Sequence, residues 1–291
     1  MTSGYEILQD LAGGIFVGFA YALLSAGFSL TWGVTRVINL AHSAFALVGS
    51  YITLTLLKTA GIDPLISILF ILPVLFLLGI ATHQFIVKPT AKRAREITGP
   101  SMVLTFGLFM IVENLLAIIF KDDDRVLTSQ YSNISFHLGP VSVALTSVIS
   151  LILAIISLAI LYFFLNGTYT GKAVRAVWQD RQGAMLSGIN VEKVTSITYG
   201  VSFATAGIAG LCLIFMYSVT PYIGFSWLVF VFLISILGGL GSIIGAAVGG
   251  MIVGLIVSAG SAFIPLAYIN LVLFVLLIIV LLVRPSGLFR R

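Results

Sequence analysis

Apolar residues run through this chain in long blocks separated by short polar or basic stretches. The longest block, 194–283, has 90 residues without one Asp, Glu, Lys or Arg. A helix crosses the hydrocarbon of a bilayer in about 20 apolar residues, so this block holds four spans. Breaks are expected at Thr220–Phe225, at the turn Gly238-Gly239-Leu240-Gly241-Ser242 and around Ser261–Pro265. Upstream, spans at 101–120 and 143–165 flank a polar connection that holds Asp122, Asp123 and Asp124 and runs through Pro140. Three more spans fall at 11–31, 43–57 and 64–87, although 32–42 shows no clear turn. No ten-residue segments alternate as barrel strands would, and an open sheet cannot span lipid. The pattern predicts an all-α polytopic membrane protein of eight to nine transmembrane helices, forming one transmembrane domain over 1–291.

Composition agrees, because 59% of residues are hydrophobic and only 9% are charged. A water-exposed surface cannot be covered with so little charge. The net charge of +5 sits mainly in three clusters: Lys88 to Arg95, Lys172 to Lys193, and Arg284 to Arg291. By the positive-inside rule these loops face the cytoplasm, with the C-terminus inside and the N-terminus and acidic loop outside. The basic balance is thus a matter of orientation within membrane lipid and not of nucleic acid binding. The absence of Lys and Arg before Arg36 argues against a cleaved signal peptide. Cys212 is the only cysteine and cannot form an intrachain disulfide.

The basic loop at 166–193 reads as an amphipathic helix from about Lys172 to Ser187. Ala173, Val177 and Ala184 recur at helical spacing, with Val174 and Met185 beside them. Thr170 or Gly171 is a suitable start and Gly188 a left-handed stop. Such a helix can dock in a groove on a partner or lie on the membrane surface. Its pattern, G-K-A-x-R-A-V-x-Q-D-R-x-x-A-x-x-x-G-I-N, resembles the coupling loop of ATP-binding-cassette importer permeases. The resemblance is strongest to the branched-chain amino-acid permease family. Four further pieces follow that family in order: GFSLTWGVTRVINLAHSAFALVGSY (27–51), YSVTPYIGF (217–225), ILGGLGSIIGAAVGG (236–250) and RPSGLF (284–289).

The resemblance implies a permease subunit that moves branched-chain or related amino acids inward across the cytoplasmic membrane. It implies cytoplasmic ATP-binding subunits, a second permease subunit in a homo- or heterodimer, and an extracytoplasmic substrate-binding protein. It assigns ATPase coupling to Gly171, Lys172, Arg175, Ala176, Asp180, Arg181, Ala184 and Gly188. Permeases of similar sequence also serve urea, other amino acids and small organic acids.

No enzyme chemistry stands out. GTYTGKA (167–173) has one residue too few for a phosphate-binding loop, and Ala173 stands where Ser or Thr would bind magnesium. His42, His83 and His137 lack metal-ligand spacing, and no G-x-S-x-G elbow is present. No catalytic residue, cofactor or metal is expected. The candidates for the transport path are polar residues inside apolar runs, which must be paired or line a wet cavity. Asn39 and His42 are such a pair, either in a broken helix facing the substrate or in hydrogen bonds that fix the fold. Glu113, beside Asn114, is the one acid placed in the membrane. It must be paired, hydrated or protonated, and the resemblance leads one to expect a neutral amide there. A proton relay through Glu113 is the sharper alternative, and with His42 it would suit a gradient-driven secondary transporter. Tyr222, with Trp227, suits an interfacial anchor or a gate.

Overall fold

The structure, a computed structural model, describes residues 4–93, 98–138, 141–261, 263, 266–284 and 287. Among the described residues nine long helices carry the fold: α1 (Gly4–Thr35), α2 (His42–Ala60), α3 (Ile68–Thr82), α5 (Thr98–Phe120), α6 (Leu145–Gly167), α9 (Val191–Met216), α10 (Gly224–Gly238), α11 (Ile243–Ser261) and α12 (Leu266–Val283). α3 continues through a π-helical turn, His83–Val87, into the short α4 (Lys88–Arg93). α7 (Tyr169–Gln179) and α8 (Arg181–Leu186) make up the basic loop. A small antiparallel hairpin, β1 (Ser135–Leu138) and β2 (Val141–Ala144), precedes α6. Seven described helices are long and apolar enough to cross a membrane, and the protein is an all-α polytopic membrane protein. The expected breaks at 220–225 and 238–242 are present. The one around Ser261–Pro265 falls largely outside the described residues, as does most of RPSGLF.

Two ends of the molecule can be told apart. Gln9 of α1 exchanges hydrogen bonds with the backbone of Ser142 in β2, which puts the start of α1 at the hairpin end. Gly33, near the other end of α1, lies against the Trp178 indole of α7, at the coupling-loop end. α1 and α9 run in opposite directions through the centre, and α9 is the most buried of the long apolar helices.

The neighbours of these two helices repeat with inverted direction. α1 packs on α11 and α10, α9 packs on α3 and α2, and α5 and α12 flank α2 and α10 in turn. Small residues make the close crossings. Gly14 and Gly18 meet Gly254 and Gly250, two G-x-x-x-G stripes lying antiparallel, and a Cβ at Gly18 would sit 2.6 Å from the Gly250 carbonyl oxygen. On the α9 side, Gly79 of α3 meets the Tyr199 carbonyl, and a Cβ at Gly49 of α2 would sit 2.5 Å from the Gly207 carbonyl oxygen. Lipid is as apolar as Leu, so close backbone packing and interhelical hydrogen bonds stabilise such contacts where the hydrophobic effect cannot. Ser50 donates to the Gly210 carbonyl at 2.7 Å, and Ser150 to the Cys212 carbonyl at 3.0 Å. Cys212 is buried and returns a contact to the Ser150 carbonyl.

The 32–42 stretch, which lacks a clear turn in the sequence, contains a sharp one. α1 ends at Thr35, Arg36 takes a left-handed φ of 57°, and 36–41 is irregular. The basic loop also departs from one continuous helix. It bends at Asp180 (φ −148°, ψ 106°), whose carboxylate accepts from Gln182 N–H at 2.9 Å and starts α8. α7 begins with Thr168 as its cap and not Thr170 or Gly171.

Candidate functional site: two recessed helix starts and a coupling bend

α2 does not begin at the coupling-loop end, where α1 finishes. His42 Nε2 lies 2.9 Å from the Leu24 carbonyl oxygen. Leu24 is eleven residues before the end of α1 at Thr35, about 16 Å at 1.5 Å per residue. The segment 36–41 therefore turns back into the molecule, and α2 starts deep inside it. α10 does the same from the hairpin end. A Cβ at Gly224, its first residue, would sit 2.7 Å from Glu113 Oε1. Glu113 is seven residues before the end of α5, about 10 Å inside. α10 has only 15 residues, too few to cross a bilayer alone. α2 and α10 pack on each other, so two helix starts enter the interior from opposite ends.

α5 bridges both starts with one face. Thr105 Oγ1 donates to carbonyls that include Ile38 at 3.2 Å and accepts from Leu40 N–H at 3.2 Å, holding the first break. Two turns on, Glu113 places its carboxyl group at the backbone N–H groups of Gly224 and Phe225. A helix N-terminus carries about half a positive charge and so favours a carboxyl group beside it, although Glu113 Oε1 is left without a hydrogen-bond partner. The loop after α5 fastens the second break, with Arg125 and Val219 exchanging two backbone hydrogen bonds of 2.9 Å.

The path candidates thus separate. Asn39 and His42 are fully buried at the α2 start. Asn39 Oδ1 accepts from Ala41 N–H at 3.2 Å, while its Nδ2 has no partner. His42 is held by Leu24 and faces Ser202 Oγ at 3.4 Å, with Phe28 and Phe203 around the ring. Glu113 is buried at the α10 start. Asn114 instead points out of the bundle, its amide bonded to its own helix at Met110 O, 2.7 Å. Tyr222 is 48% exposed, but Trp227 is only 1% exposed and is a core residue, not an interfacial anchor. A groove of about 650 Å³ lies between the π-helical turn, α4 and α5 and includes none of these residues.

The coupling residues fall on two faces. Gly171 packs on the Phe164 carbonyl and Leu165 of α6, and Ala184 is 5% exposed, so both hold the loop to the body. Lys172, Arg175, Asp180, Arg181 and Gly188 are exposed, and Ala176 is half-buried. Arg175 reaches Asn166 at 2.8 Å, and Gly188 has the expected positive φ, 81°. Two features escape a reading by periodicity. Leu186 is 91% exposed, and with Met185 it forms an apolar tip on a basic bend. Trp178, an open position in the motif, lies between Gly33 of α1 and Gly241 of the α10–α11 turn. A side chain at Gly33 would begin 3.0 Å from the indole, and one at Gly241 would overlap it.

Comparison with known proteins decides the family. The family model for the branched-chain amino acid transport system permease component matches residues 11–281. This chain belongs to that family. It is 31% identical to the high-affinity branched-chain amino acid transport system permease protein LivH of Escherichia coli K12, over 98% of this chain and 96% of the relative. It is 33% identical to a probable branched-chain amino acid transport permease, LivH, of Methanocaldococcus jannaschii, over 95% and 90%. With BraD of Pseudomonas aeruginosa PAO1, also a high-affinity permease of this class, identity is 28% over 100% and 98%. No solved structure matches the chain. Family members are transport subunits, and the chain is a multi-pass membrane permease and not an enzyme.

Proposed function

We propose that this permease serves an ATP-driven importer in the cytoplasmic membrane and carries branched-chain or closely similar amino acids inward. Separate ATP-binding subunits dock on α7–α8, a second permease subunit completes the passage, and an extracytoplasmic binding protein delivers substrate at the hairpin end. The observation that carries the reading is the exposed apolar tip Met185–Leu186 on a bend rimmed by Lys172, Arg175 and Arg181. Such a tip is costly in water and suits a groove on a soluble partner. The two recessed helix starts supply the passage side, because interrupted helices put free backbone groups where a polar solute must cross.

Gly287 lies against Gly239, in the turn that meets Trp178, and this supports a reading in which the chain leaves α12 on the docking side. In this reading that side is cytoplasmic, as the basic clusters require. A proton-driven mechanism has less support, since Glu113 stands at the α10 start, away from His42, which is held by Leu24.

The test is affinity purification from native membranes with Leu186→Glu in parallel. Leu186 is exposed, so the change spares the fold. ATPase subunits should follow the natural chain and be lost with the variant. An intact natural chain that brings no ATPase contradicts the reading.

A further inference from the structure

The two helix starts differ in one chemical respect. The α10 start has a carboxylate built into the protein, Glu113, at Gly224 and Phe225 N–H. The α2 start has none. Of its first four N–H groups, His42 reaches the Asn39 carbonyl at 3.3 Å and Phe45 the Ala41 carbonyl at 3.2 Å. Among the described residues, those of Ser43 and Ala44 have no partner. Its cap residue, Ala41, offers no side-chain acceptor. Two side chains at the same place are left with unpartnered polar atoms although both residues are fully buried: Asn39 Nδ2 and Ser43 Oγ. Asn39 Oδ1 is fixed by Ala41 N–H, so the amide sits over the helix start with its NH₂ free. The titratable side chain at these groups is His42, whose Nε2 lies 2.9 Å from the Leu24 carbonyl oxygen. The faces around them are Leu24–Phe28 of α1, Ser202 of α9 and Thr105 of α5.

Buried donors without acceptors are costly, and a 19-residue helix adds its positive end to them. The set comprises two backbone N–H groups, an amide NH₂, a hydroxyl and a helix dipole. That is the donor set a carboxylate takes at a helix N-terminus. At the other recessed helix start a carboxyl group of the protein, that of Glu113, stands beside the same kind of backbone N–H groups. The geometry points to the α2 N-terminus, with Asn39 and Ser43, as the place where the substrate's carboxylate is held during its passage.

This deepens the importer reading and rests on it. The substrate class is a small solute bearing a carboxylate, which amino acids satisfy and urea and neutral sugars do not. Asn39, and not His42, is the residue that discriminates.

The test supplies the carboxylate from the protein itself. Asn39→Asp keeps the Oδ1 contact to Ala41 and adds a charge at the helix start. Ser43→Asp does the same from the first turn of α2. The purified importer complex carrying each variant is compared with the natural complex for thermal midpoint and for ATP-driven L-leucine uptake in vesicles. A midpoint raised in at least one variant, with uptake in that variant reduced about tenfold or more, is the expected result. Midpoints lowered in both variants, or uptake retained in a variant whose midpoint rises, overturn the assignment. The midpoint of the natural permease with L-leucine, set against leucinamide, checks the ligand class directly. Only L-leucine should raise it, and equal effects of the two overturn the carboxylate claim. Copurifying ATPase is scored on the same preparation. Its absence from the natural chain would fail the importer reading, while the midpoints would still decide the α2 site.

Discussion

Glu113 is the residue whose environment most constrains its role. A carboxyl group inside a membrane protein needs a counterpart, and the group that stands beside this one is the start of α10. Glu113→Gln should keep L-leucine uptake with an unchanged pH profile, because an amide oxygen can still accept from Gly224 or Phe225. The lost charge–dipole interaction amounts to about 1 kcal/mol, which should lower the thermal midpoint by a few degrees. A pH dependence that disappears in the variant would instead mark Glu113 as a proton carrier. Sequence identified Glu113 as an acid in need of a partner but could not name that partner, which lies more than a hundred residues away. Asn39 and His42 were legible as polar residues in an apolar run. Which of them keeps a free donor depends on Leu24 and Ala41, and that pairing exists only in the fold.

At the scale of elements, α7–α8 is held at its start and keyed at its far end. Gly171 and the Thr168 cap fix it to α6, while Trp178 rests on Gly33 of α1 and on Gly241, whose φ of 94° suits only glycine. Both contact positions lack side chains, so one indole connects the bend to α1 and to the α10–α11 turn. Trp178→Ala should leave ATPase subunits bound, through the untouched Met185–Leu186 tip. It should lower solute moved per ATP about fivefold or more, in the range of coupling energies between linked sites. Measuring uptake and hydrolysis on one vesicle preparation checks this, and an unchanged ratio contradicts it. The amphipathic period located the loop and its buried stripe. It missed the bend, because Asp180 ends one helix and starts the next through its side chain, whose carboxylate accepts from Gln182 N–H and leaves no mark in the hydrophobic spacing. For the same reason the docking role expected of Ala184 moves, in our reading, to Leu186: Ala184 belongs to the buried stripe.

In the whole molecule, α1–α5 and α9–α12 form two inverted sets around the α1–α9 crossing. A short echo in the sequence marks their equivalent breaks: Val34-Thr35-Arg36-Val37-Ile38 and Val219-Thr220-Pro221-Tyr222-Ile223 both read Val-Thr-x-x-Ile. Hydropathy located the spans well because lipid imposes length and apolarity on each one separately. It could not show that α2 and α10 start inside, since a recessed helix has the same composition as a spanning one. Two sets related in this way, with interrupted helices between them, suit alternation between outward- and inward-facing states. An external energy source must bias that alternation, and in the importer proposed above ATP supplies it. The most direct test is uptake of labelled L-leucine into vesicles holding the purified complex and its binding protein, with ATP and ion gradients controlled separately. Uptake that requires ATP and survives collapse of every ion gradient is the predicted result. Uptake that persists without ATP and vanishes with a gradient would contradict the account.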